Sequence, residues 1–120
     1  MIASAVHFDL LSYMDVVTAR QQAREMAREL GFGLTDQTRI ATAVSEVAHQ
    51  TLTQQGQARV YLSTLRNNAR RGLECICQSA EWLRASGGSV LAGVGRLMDE
   101  CTLEARSDSE VAVVMRKWLH

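Results

Sequence analysis

Arg20, Arg24 and Arg28 recur at every fourth position, a spacing that lines three guanidinium groups along one stripe of a helix. Planar donor forks of this kind pair well with carboxylates. The stripe is therefore either a solvated face offset by Glu25 and Glu29 or a contact for an acidic partner surface. Cys75 and Cys77 flank Ile76, and Cys101 stands apart. An odd cysteine count without a C-x-x-C pair makes neither a disulfide framework nor a zinc site. On a strand Cys75 and Cys77 share a face, and no basic neighbour marks either as a thiolate. They read as small buried hydrophobes in a reducing cytoplasm rather than as a redox sensor. His7, His49 and His120 are too scattered for a metal centre. Asp99-Glu100 reads as surface charge, and Gly87-Gly88 is a weak phosphate signal that is more often a plain turn. Trp82 reads as a core plug or an interface anchor.

The elements that would position these groups belong to one domain, because 120 residues form a single core. Thirteen basic and thirteen acidic residues cancel, which excludes duplex nucleic acid and an anionic membrane as main partners. Aromatics at 5% disfavour a base-stacking surface. The first eleven residues carry Asp9 and no basic region, unlike a secretory signal. No apolar run approaches the roughly 20 residues a membrane helix needs. A cytoplasmic protein is expected.

Val6, Phe8 and Leu10 alternate as in a half-buried strand. Ser12 and Asp15 mark the start of a helix over 14–30, with Gly31 as its stop. Thr35 or Asp36 opens a second helix to Thr53, whose stripe is Ile40, Val44, Val47, Ala48 and Leu52. Strands are predicted over 59–65 and 73–77, around a polar turn at 67–72. A short helix over 90–98 and a hairpin of 102–105 with 111–118 complete the chain. The order β-α-α-β-β-α-β-β predicts an α+β two-layer sandwich, a mixed and mostly antiparallel sheet covered by helices on one face.

The stretches Val17-Thr18-Ala19-Arg20-Gln21 to Glu29-Leu30-Gly31-Phe32, and Thr35 through Ala48 with Ser45-Glu46-Val47, carry a resemblance that extends further along the chain. Gly93-x-x-Arg96-Leu97-Met98-Asp99-Glu100 and the ending Met115-Arg116-Lys117-Trp118 continue it in order. Together these segments resemble the anti-sigma-factor and switch-kinase branch of the GHKL ATPases, specifically the RsbT-like serine/threonine kinases of bacterial stress signalling. The resemblance implies the Bergerat fold. It also implies ATP and magnesium as cofactors, and phosphorylation of a STAS-domain partner or capture of a sigma factor.

The family's second helix carries a Glu that orients the nucleophile and, four residues on, an Asn that holds magnesium. Glu46 matches the first, while the second is Gln50, one methylene longer. Magnesium demands near-ideal octahedral geometry, so the longer side chain is a poor replacement. The family's D-x-G-x-G box, whose Asp binds the adenine amino group, falls on Ser79, Ala80, Glu81, Trp82 and Leu83. The acid is lost and the glycines are bulky. Its glycine-rich phosphate loop falls on Gly88 to Gly93, where Gly88 and Gly93 match, Val90 replaces a glycine and Ala92 a proline. Val90 is disfavoured where a positive φ is needed, and the intervening lid is shorter than in the family.

The resemblance with these departures implies a degenerate, nucleotide-free member. Such a protein docks a STAS-domain antagonist, a sigma factor or a sister kinase, with Glu46 a relic and Arg20, Arg24 and Arg28 the docking stripe. The alternative is a divergent serine/threonine kinase with Glu46 as base and Gln50 on magnesium, binding ATP at Gln50, Ser79, Glu81, Gly88, Val90 and Gly93. A third reading is a homodimer formed through apolar surface left by the shortened lid.

Overall fold

A computed structural model describes residues 5–80 and 88–119, and for Ala80 and residues 88–90 it describes the backbone alone. The elements are β1 (Ala5–Leu10), α1 (Tyr13–Leu30), α2 (Leu34–Gln55), β2 (Ala58–Asn67), β3 (Arg70–Ala80), α3 (Gly88–Gly95), β4 (Glu100–Ala105) and β5 (Glu110–Trp118). At the start of α1 the Asp15 carboxylate accepts the backbone N–H groups of Leu11 at 2.8 Å and Ser12 at 3.0 Å. Those bonds, the Leu11 one foremost, hold the Asp15 carboxyl below its ordinary value. The helix ends where Gly31 takes a φ of 101°, a conformation that costs glycine nothing. Between α1 and α2 the buried Gln37 amide donates to the Phe32 carbonyl at 2.8 Å, fixing the tight connection.

The strands form one five-stranded sheet in the order β1-β2-β3-β5-β4, and each pairing is antiparallel. Strand alternation places Phe8, Val60, Cys77, Val113 and Leu103 in register across the face that α1 and α2 cover. Ala19, Ala23 and Ala27 of α1 and Ile40, Val44, Val47 and Ala48 of α2 complete that core, with Val94 of α3 and Met98 beyond it. Small alanines along α1 let the two helices lie close together over the sheet. The opposite sheet face carries the row His7, Tyr61, Ile76, Val114 and Thr102, with no described helix over it.

The α+β two-layer arrangement, with helices on one face, is the expected one. The sheet is antiparallel throughout where a mixed one was expected, because β3 and β5 run antiparallel and β4 folds back on β5 as a hairpin. The expected polar turn over 67–72 is a two-residue hairpin turn instead. Asn67 and Arg70 still pair, and Asn68 takes a φ of 57°, which asparagine tolerates better than most residues. The ladder outruns the apolar pattern because exposed Arg66, Arg70 and Arg71 need no buried face. The second helix starts a residue before its expected cap, on an extended Gly33, so Thr35 and Asp36 occupy its first turn.

Candidate functional site

Glu46, His49 and Gln50 share the outer surface of α2, since residues three and four apart in a helix are neighbours. The His49 ring meets Tyr13 of α1 edge-on at 5.1 Å. Gln50 lies on the other flank with Ala43 and Val47, away from α1. Glu46 is exposed, Gln50 is half-buried, and neither bonds to another described residue. Glu46 therefore faces solvent, while Gln50 is partly covered.

Ser79 does not follow the central strand but sits within β3, opposite Val111, only 5% exposed on the helix-covered side. It lines a cavity of about 480 Å³ at this end of the sheet, with Asp9, Leu11, Gln55, Gln57, Ala58, Arg59, Gln78, Ser109 and Glu110. Asp9 and Arg59 form an ion pair at 3.1 Å, and Gln78 Nε2 donates to Glu110 Oε2 at 3.4 Å. Tyr61 and then Asp9 hold the Arg59 guanidinium above its ordinary pKa, so the one cation on the lining among the described residues is already engaged. Sequence reasoning missed Asp9, Arg59, Gln78 and Glu110 as site residues. Their proximity is set by strand register, which no local pattern encodes.

Glu46, Gln50 and Gly93 are outside that cavity's lining. Gly88 and Gly93 both belong to α3, which begins at Gly88 rather than at Val90 and ends at Gly95. Among the described residues positive φ occurs only at Gly31, Gly56 and Asn68. The steric objection to Val90 is therefore corrected: its backbone is right-handed helix, where a β-branched residue fits. Glu81, Trp82 and Gly87 lie outside the described residues.

On α1 the stripe divides. Arg28 is ion-paired with Glu25, a contact between two exposed side chains. Arg20 and Arg24 form no hydrogen bond or ion pair with another described residue. At the head of the same helix Leu11, Tyr13 and Met14 are each more than 60% exposed.

The two C-terminal segments that carried the resemblance meet as one clamp. Trp118 donates its backbone N–H to Asp99 Oδ2 at 2.8 Å and its indole Nε1–H to Glu100 Oε2 at 2.7 Å. Arg116 bridges Glu74 at 2.7 Å and Glu100 at 3.2 Å. The Lys117 ammonium donates to the Leu97 carbonyl at 3.1 Å. Asp99 and Glu100, expected as surface charge, are structural acceptors. The Trp118 bond foremost holds the Glu100 carboxyl below its ordinary value. The cysteines behave as expected. Cys75 is pushed well up by burial, and Cys77 up to about 11, opposed only by its contact with Thr51. Among the described residues no group of three or more His, Cys, Asp or Glu is placed to hold a metal ion, and no helix is long and apolar enough to cross a membrane.

A five-stranded antiparallel sheet under two long antiparallel helices, with a short glycine-containing helix entering β4, defines a GHKL-type α+β domain of the anti-sigma and switch-kinase kind. The chain is 32% identical to the serine/threonine-protein kinase RsbT of Bacillus subtilis (strain 168), over 92% of its own length and 93% of that protein. It belongs to the RsbT family. No protein-family model matches the sequence. Among solved structures, the RsbU and RsbW domains of Rv1364c from Mycobacterium tuberculosis share the fold at a TM-score of 0.70 and 19% identity, covering 96% of this chain and 32% of that one. The SiaB-SiaC complex from Pseudomonas aeruginosa does so at a TM-score of 0.57 and 9% identity, covering 98% of this chain and 91% of that one.

Proposed function

We propose that this chain is a regulatory protein of bacterial partner-switching signalling that works by docking a protein partner, without turning over ATP. The partner is a STAS-domain antagonist, a sigma factor or a sister kinase. The relationship to RsbT, and the fold shared with the SiaB-SiaC complex, support a role exercised on another protein. The observation that carries the loss of chemistry is Ser79, a buried neutral hydroxyl where the family places the acid that recognises adenine. Among the described residues the cavity beside it presents two carboxylates and one guanidinium already paired with one of them, a lining that disfavours a polyphosphate. Gln50 is a longer, more mobile oxygen donor than magnesium favours. This donor set does not fit a magnesium nucleotide. Docking then falls to α1, where Arg20, Arg24 and Arg28 line one stripe and the first two bond to no other described residue.

The rival reading, a divergent serine/threonine kinase, is favoured by the 32% identity to RsbT and by the exposed Glu46 on α2. Isothermal titration with ATP and magnesium separates the two. Docking without chemistry predicts no heat of binding up to millimolar nucleotide, and micromolar affinity would instead favour the kinase.

A further inference from the structure

Lys117 is 8% exposed, unusual for a lysine. Its ammonium lies 3.8 Å from Asp36 in the first turn of α2 and 3.8 Å from Asp99 beyond α3. It also donates to the carbonyl of Leu97, in the turn that leaves α3. Arg39 shares Asp36 at 3.3 Å, so two cations and two carboxylates balance in this cluster. A buried ammonium is tolerated only when its charge and its protons are met. Here the groups that meet them come from α2, from the turn after α3 and, through Lys117 itself, from β5.

The remaining attachments of α3 are few. Among the described residues it packs on α2 and β4 through buried Val94 and half-buried Leu91, and Leu97 and Met98 follow in the turn beyond it. The backbone after it turns through Leu97 and Met98 N–H bonds to the Val94 carbonyl, at 2.9 and 3.2 Å. Its glycines at 93 and 95 have open space where a Cβ would stand, so no side chain locks them to a neighbour.

We propose that Lys117 is a positioning residue that latches α3 to the N-terminal end of α2. The latch adds to the packing of Leu91 and Val94 in fixing where the Gly88–Gly93 segment stands relative to the Glu46 and Gln50 face. The residue touches neither segment itself; it holds the helix that carries one to the helix that carries the other. This goes beyond the proposed function, since neither nucleotide nor partner enters the argument or its test.

The test is amide hydrogen exchange on the full chain, comparing Lys117→Met, Lys117→Arg and Asp36→Asn with the parent. Lys117→Met keeps the length and packing of the side chain but removes its charge and protons. Exchange over residues 91–98 is expected to rise on the order of tenfold, with amides of α1, β2 and β3 unchanged. Lys117→Arg, which can still meet the carboxylates and the carbonyl, is expected to restore much of the protection. Asp36→Asn, at a part-exposed position that need not disturb the core, is expected to loosen the same segment to a smaller extent. If Lys117→Met does not fold, the Asp36→Asn result decides. Unchanged exchange over 91–98, or an equal rise along the whole chain that reports only lost global stability, would overturn the proposal.

Discussion

Gly72 faces Trp118 directly across the β3–β5 ladder. A Cβ added there would stand 2.6 Å from the Lys117 carbonyl oxygen and 2.7 Å from Trp118 Cε3. Neither obstacle yields easily. The carbonyl is backbone of an interior strand, and the indole is held by Glu100 at 2.7 Å and covered by the Arg70 guanidinium at 4.3 Å. In Gly72→Ala the methyl must either part the strands or expel the ring. Overpacking a fixed site costs about 1–3 kcal/mol. Expelling the ring forfeits a hydrogen bond to a charged group, about 1.5 kcal/mol at this part-exposed position, and a cation–π contact of about 0.5–1 kcal/mol. Reduced freedom of the unfolded chain returns about 0.4–1 kcal/mol. A net loss of about 1.5 kcal/mol is expected, equivalent to roughly 6 °C in melting temperature for a chain of this size. Urea and thermal unfolding measure it. Trp118→Leu in the Gly72→Ala background is expected to be less damaging than in the parent, by at least about 1 kcal/mol of coupling. A loss below about 0.5 kcal/mol, within the range of an ordinary surface change, would refute the steric reasoning.

Two further outcomes follow from burial and charge. Iodoacetamide on the native chain at neutral pH should alkylate half-buried Cys101 first and leave Cys75 and Cys77 intact until unfolding, because burial both hides those thiols and raises their pKa. Mass spectrometry reads the order, and equal labelling of all three would refute the core placement. The depressed Glu100 carboxyl contributes stability that is present above the ordinary carboxylate value and is lost as pH falls through its lower, folded value. In urea unfolding from pH 7 to pH 3, the gap between parent and Glu100→Gln should therefore close on the acid side. A gap that stays constant with pH would show that the carboxylate charge is not what matters.

Helical stripes and alternating strands were legible in the sequence because burial imposes local periods of 3.6 and 2 on it. Ile40, Val44, Val47 and Ala48 on one helix, and Val60 and Leu62 on one strand, lie in the core as those periods require. Gly31 likewise announced a helix end. The family likeness extended that reading to the order of the whole domain.

Elsewhere the outcome depended on partners distant in the chain. Asp99 and Glu100 look like surface charge until β5 brings Trp118 and Arg116 against them. Arg28 belongs to the stripe by spacing, and its pairing with Glu25 is a choice of side-chain geometry that the spacing leaves open. Val90 looks strained only if its backbone is a loop, whereas the structure makes it helix. Lys117 reads as one polar position on a strand, and only packing reveals that two carboxylates from α2 and the α3–β4 turn converge on it. Periodicity is a property of neighbours along the chain, so the sequence alone settled which elements form and which apolar residues they bury. Which charges meet is a property of register and packing between residues 16 to 81 positions apart, and the tertiary fold decided it.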